Sequence, residues 1–245
     1  MLLKTIFKKL FIILQLDLTK NLKYDRLTKE IIKKFIQKSH NCIDVGCHQG
    51  EILSQINKFA PNGKHYAFEP IPYLFQSLKE RFDDKATILP YALSNNNGKT
   101  TFQLVKNAPA YSGIRKRKYN IENPDIEEII VEKRTLDSII PENEVIDFIK
   151  IDVEGGEFDV LKGAVNLLKR CKPIVLFECG KGASDHYDTR PHDLFDFLNK
   201  EIGLEIYTLQ SFLKEQKPLN KSEFEHHFET NNEYYFVAAH IYAFR

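Results

Sequence analysis

The chain has 245 residues, 42% of them hydrophobic, enough to bury one sizeable core and too few for several large domains. Its 35 basic and 34 acidic side chains leave a net charge of +1, which excludes a global pull towards nucleic acid or another polyanion, so recognition has to be local. Cys42, Cys47, Cys171 and Cys179 stand on or beside apolar runs without Cys-x-x-Cys spacing, which argues against zinc or a disulfide framework and for reduced thiols in a cytoplasmic protein.

At the amino end, Leu10-Phe11-Ile12-Ile13-Leu14 follows Lys4, Lys8 and Lys9 in the manner of a signal peptide, but no small-residue cleavage site comes after it. The run is also shorter than the ~20 residues that span a bilayer. Residues 1–40 therefore read as a basic helical extension packed on the domain, with loose attachment to a membrane surface as the alternative. Leu27, Ile31, Ile32, Phe35 and Ile36 carry the helical spacing into the domain.

Cys42-Ile43-Asp44-Val45-Gly46 reads as the first central strand, followed by Cys47-His48-Gln49-Gly50 and a helix bearing Ile52, Leu53, Ile56 and Phe59. Glycines bracketing such a turn let backbone approach a ligand closely, and the helix behind presents its positive end there. The Gly-x-x-x-Gly spacing differs from the Gly-x-Gly-x-x-Gly that cradles a dinucleotide pyrophosphate. The second strand, His65-Tyr66-Ala67-Phe68, ends in Glu69-Pro70, and Glu69 stands where an acid accepts hydrogen bonds from a ribose diol. Pro70 and Pro72 break the strand, and Leu74, Phe75 and Leu78 begin another helix. Residues 86–93 read as a third strand, closed by Ser94 and the turn Asn95-Asn96-Asn97-Gly98. This alternation predicts an α/β fold with a mostly parallel, doubly wound sheet.

Between about residues 100 and 134 the rhythm changes. Thr101–Val105 and Ile129–Val131 have strand composition around Arg115-Lys116-Arg117-Lys118, which reads as an inserted hairpin with a long loop, placed to meet a substrate. Val145–Ile151 is then a buried strand that closes in Asp152 and Glu154, and across Gly155-Gly156 a helix carries Phe158, Leu161, Val165 and Leu168. Ligands of open α/β sheets bind outside the carboxyl ends of strands, where Asp152 and Glu154 stand. Glu154 and Glu157 also suit a simpler role, complementing the positive end of that helix. Pro173–Glu178 is a further strand ending in an acid; a helix over 190–200 and strands over 204–207 and 234–239 complete the chain. Asp44, Glu69, Asp152 and Glu178 thus put four carboxylates on one edge of one sheet, the pattern of a polar ligand site.

Taken in order, Asp44-Val45-Gly46-x-x-x-Gly50, Phe68-Glu69-Pro70-x-Pro72, Ala92-Leu93-Ser94, Arg134-Thr135-Leu136-Asp137 and Lys150-Ile151-Asp152-Val153-Glu154-Gly155-x-Glu157 resemble the FkbM-type S-adenosylmethionine-dependent methyltransferases. The resemblance implies a class I, Rossmann-like methyltransferase domain over 41–245, with helices on both faces of the sheet and a reversed carboxyl-terminal strand. It implies O-methylation of a hydroxyl on a sugar, surface glycan or secondary metabolite. Carried over residue by residue, Asp44, Gly46 and Gly50 would hold the methionine end of S-adenosylmethionine, Glu69 its ribose hydroxyls, and Ala92, Leu93 and Ser94 the adenine. Cys47, His48, Pro70 and Asp152 would complete the cofactor contacts. Cys47-His48 stands where the family usually carries Ala-Asn, and Gly156 is bare for its position.

An alcohol must lose its proton as it accepts a methyl group, so a carboxylate or histidine within reach would serve as base. Asp152, Glu154 and Glu178 are the candidates, with His186 on the next loop, and Tyr111, Ser112 and Arg115 of the insertion are expected to line the acceptor pocket. No metal-ligand set is assigned, although Asp152 and Glu178 offer oxygens of the kind magnesium prefers. A nicotinamide-dependent oxidoreductase would share the sheet but lacks its fingerprint here, and a silent nucleotide-binding scaffold would have no need of the acids.

Overall fold

The computed structural model describes residues 19–119 and 121–240. Leu10–Leu14 and the lysines before them, read above as the amphipathic part of the extension, lie outside the described residues. The strands in chain order are β1 (Cys42–Val45), β2 (His65–Phe68), β3 (Thr87–Leu89), β4 (Tyr91–Leu93), β5 (Gly98–Val105), β6 (Ile126–Arg134), β7 (Phe148–Ile151), β8 (Ile174–Glu178), β9 (Glu205–Thr208) and β10 (Tyr235–Ala239). Seven of them form one sheet in the order β3-β2-β1-β7-β8-β10-β9. The pairs from β3 through β8 are parallel, and β10 runs antiparallel to both β8 and β9, so the sheet is mixed.

Side chains alternate across a strand, and the central strands of the large sheet are flanked by two separate cores. Ile43, Val45, Ile149, Ile151, Val175 and Phe177 pack on one face against helices Glu157–Lys162, Val165–Cys171 and Lys221–Thr230. Cys42, Phe148, Leu176 and Val237 face the other way, towards helices Lys20–Phe35, Glu51–Phe59 and Leu209–Leu213. Burial on both faces explains why these strands are apolar runs without alternation. Asp44 and Lys150 break that rule, and both are buried.

The strand read over 86–93 is two strands. β3 joins the large sheet, whereas β4 joins β6 and β5 in a three-stranded sheet, and Pro90 stands between them. Proline donates no backbone hydrogen bond and disfavours continuing the ladder, which lets the chain change sheets at that point. β5 and β6 pair antiparallel from Gly98↔Lys133 to Val105↔Ile126, and residues 106–125 connect them. The strand read from 145 begins only at Phe148, and the helix behind it is two short helices parted at Gly163-Ala164. A Cβ on Gly163 would lie 2.1 Å from the Ser94 carbonyl oxygen, so glycine is what lets the β4 turn approach the helix. The helix read over 190–200 is α-helical from Pro191 to Asp196 and π-helical from Phe197 to Ile202.

Candidate functional site

The carboxyl ends of β1, β2, β4, β7 and β8 open into a cavity of about 860 Å³. Gly46, Cys47, His48, Glu69 and Pro70 line it on one side, Ala92, Leu93 and Ser94 beside them, and Asp152, Glu154 and Glu178 on the other. Asp44 and Gly50 do not line it; they support the loop that does. Tyr24 and Thr28 of the helix Lys20–Phe35 also line the cavity, so part of the segment read as an extension is a wall of the site.

The loop after β1 is wound tightly. Gly46 and Cys47 donate their amides to the Phe68 carbonyl at 3.1 and 3.0 Å, and Gly50 donates to the Cys47 carbonyl at 2.8 Å. Gly46 has φ +71°, and a Cβ there would lie 1.9 Å from the Asp152 carbonyl oxygen, so only glycine lets β1 and β7 end side by side. His48, at φ +50°, donates its amide to Glu69 Oε2 at 2.8 Å, and Ile71 donates to Glu69 Oε1 at 3.0 Å. Glu69 is thereby fixed across the mouth of the loop. Burial pushes its carboxyl up to about 7, and the two amides offset part of that. Burial, reinforced by the Lys150 charge, lowers the pKa of His48, which keeps its ring neutral at pH 7.

Lys150 ties the strand ends together. Its Nζ donates to the Gly46 carbonyl at 2.8 Å and lies 3.5 Å from Asp44 Oδ1 and 3.7 Å from Asp152 Oδ2. Burial opposes the ammonium charge, but Asp152 and Asp44 outweigh it and the Lys150 pKa is raised. Asp44 is 1% exposed; burial raises its pKa, and Lys150 and Cys47 offset part of this. No role was foreseen for Lys150, although a lysine inside an apolar strand is a signal the sequence carries.

The three candidate bases differ in surroundings. Asp152 Oδ2 accepts a hydrogen bond from Tyr235 Oη at 2.8 Å, a partner supplied by the last strand that no local pattern announces. Glu154, in the left-handed region at φ +63°, is ion-paired with Arg117 of the insertion, and their side chains are 18 and 10% exposed. A carboxylate held by a guanidinium is a weaker proton acceptor. Glu178 has no side-chain partner among the described residues, and burial together with Asp152 and Glu157 pushes its carboxyl well up. His186 is exposed and outside the cavity lining; its backbone carbonyl accepts from Arg115.

Tyr111, Ser112 and Arg115 all line the cavity. Ser112 Oγ accepts from the Val105 amide at 3.0 Å, and Arg115 binds Asp188 at 2.7 Å while its amide donates to Tyr187 Oη at 3.0 Å. The same Tyr187 ring lies where a Cβ on Gly156 would come within 3.2 Å, which accounts for the bare glycine.

Residues 44–203 match the Methyltransferase FkbM domain. The chain belongs to this family. The FkbM chain is 27% identical over 150 residues to the 2-O-methyltransferase NoeI of Sinorhizobium fredii (strain NBRC 101917 / NGR234), a match covering 54% of this chain and 60% of that protein. Among solved structures, the methyltransferase FkbM of Methylobacillus flagellatus KT superposes with a TM-score of 0.51 at 17% identity, over 83% of this chain and 44% of the other. That likeness establishes the class I, Rossmann-like methyltransferase fold. The chain spans less than two thirds of the length of either relative.

Proposed function

We propose that this FkbM chain transfers a methyl group from S-adenosylmethionine to a hydroxyl of a sugar-containing acceptor. The observation that carries the reading is the division of one cavity: a glycine-turned loop with Glu69 fixed across it lies on one side, and the acids Asp152 and Glu178 lie on the other. That NoeI is a 2-O-methyltransferase supports an oxygen acceptor.

The residues present fit the cofactor. Each Glu69 oxygen accepts a single amide, leaving capacity for ribose hydroxyls, and Asp44, ion-paired with Lys150, places a buried carboxylate beneath the loop. We assign Gly46, Cys47 and His48, supported from behind by Asp44 and Gly50, to the methionine end, Glu69 and Pro70 to the ribose, and Ala92, Leu93 and Ser94 to the adenine. When bound, the cofactor supplies an electrophilic methyl group. Asp152 is the group we assign to take the acceptor's proton, held in place by Tyr235 and Lys150. The pocket walls orient the hydroxyl, and much of the rate of such a transfer comes from positioning.

Calorimetry tests the reading directly: S-adenosylmethionine or S-adenosylhomocysteine should bind and NAD should not, and the reverse pattern would overturn it. Glu69→Ala should weaken that binding by roughly 1.5 to 3 kcal/mol, the range for hydrogen bonds to a charged partner. Asp152→Asn should lower turnover about a hundredfold or more, within the range of general acid–base catalysis, with a much smaller change in cofactor affinity.

A further inference from the structure

Asp152, Glu157 and Glu178 come from three places in the chain: just past β7, the first turn of the helix Glu157–Lys162, and the end of β8. Each offers a carboxylate oxygen within 4.8 Å of the other two. Oxygens sharing one cation at about 2.0 to 2.6 Å lie no more than about 4 to 5 Å apart, so this spacing suits a common ion.

The hydrogen bonds leave an oxygen free on each acid. Asp152 uses Oδ2 for Tyr235. Glu157 uses Oε1 for the amides of Val153 and Gly155, at 2.9 and 3.1 Å, whereas its Oε2 is buried without a partner in a residue 1% exposed. Glu178 has no side-chain partner among the described residues. Nearby positive charge is already committed: Lys150 lies between Asp44 and Asp152, and Arg117 pairs with Glu154. Three carboxylates this close in a poorly hydrated place cannot all remain charged unless protons or a cation join them.

We propose that Asp152, Glu157 and Glu178 form a site for one divalent cation of the hard, oxygen-preferring class, magnesium, manganese or calcium. An all-carboxylate set without histidine or thiol suits these ions rather than zinc. Tyr235 and the two amides act on it from behind, orienting the ligand carboxylates as outer partners do in metal sites. Glu157 thereby acquires a role beyond the helix end to which its sequence position points. Asp152 and Glu178 line the acid side of the cavity and Glu157 is buried behind the lining, so an ion held by the three would fix an acceptor hydroxyl and ease the loss of its proton. That last role rests on the methyltransferase reading; cation binding does not.

The test uses the full chain, stripped with chelator and desalted, and titrates manganese(II) by calorimetry and electron paramagnetic resonance. One saturable site per chain is expected, absent or at least about tenfold weaker in Glu178→Gln, and weakened about tenfold or more in Tyr235→Phe, which removes only an outer partner. No saturable binding in the millimolar range, or undiminished binding in a folded Glu178→Gln variant, overturns the proposal. S-adenosylhomocysteine titrated into the same samples separates the two readings. If it binds where manganese does not, only the cation site falls; if manganese binds where it does not, the methyltransferase reading falls and the site stands.

Discussion

Glu178 shows how a single buried carboxyl ties stability to pH. Its carboxyl is pushed up by burial and by Asp152 and Glu157, so the folded chain holds that proton more tightly than the unfolded one. The folded state then binds more protons, and stability falls as pH rises from the unfolded carboxylate range, about 4.3, up through the folded pKa. With chelator present, Glu178→Gln should therefore raise the urea midpoint at pH 8 and change it much less near pH 5. Denaturation curves at the two pH values check both arms. Gly46 gives a second contrast at this scale. Gly46→Ala meets the Asp152 carbonyl at 1.9 Å, whereas Gly182→Ala, at φ +95°, meets nothing within 4 Å. Gly182→Ala should cost about 1 to 3 kcal/mol of backbone strain, and Gly46→Ala more than that, read from equilibrium unfolding.

Among the elements, the insertion is fastened to the loop after β8 by Arg115 to Asp188 and by the Arg115 amide to Tyr187, and to the loop after β7 by Arg117 to Glu154. Arg115→Ala together with Tyr187→Phe should loosen residues 106–125, seen as faster amide exchange there. Turnover on the acceptor should drop while S-adenosylhomocysteine affinity stays nearly intact. The glycine loop, Glu69 and the acid after β7 were legible because they depend on short-range spacing, a turn, a strand end and a helix start. The switch of sheets at Pro90 was harder to see, since the apolar content of 86–93 runs straight through the proline. Lys150 announced itself by charge in an apolar run. Tyr235 had no such signal: it reaches Asp152 from a strand that arrives beside it only once the sheet is assembled, 83 positions along the chain.

At the scale of the whole molecule, the two cores and the cavity depend on β10, the last strand of the large sheet in chain order. β10 lies between β8 and β9 and pairs with both, so without residues 235–239 the large sheet is split and two apolar edges are left open. The helix Lys20–Phe35 is tied to the turn leading into β10, through Lys23 and Tyr24 to Glu233, so it depends on the same region. A chain truncated after Glu233 should lose cooperative thermal unfolding and aggregate, which calorimetry and light scattering would register. Synthesis runs from the amino end, so a nascent chain carries the loop after β1, Glu69 and Asp152 long before it carries the Tyr235 hydroxyl that holds Asp152. The candidate site is thus completed only by the last of its strands in chain order, and a nascent chain that stops short of β10 has all the motif acids and no finished site.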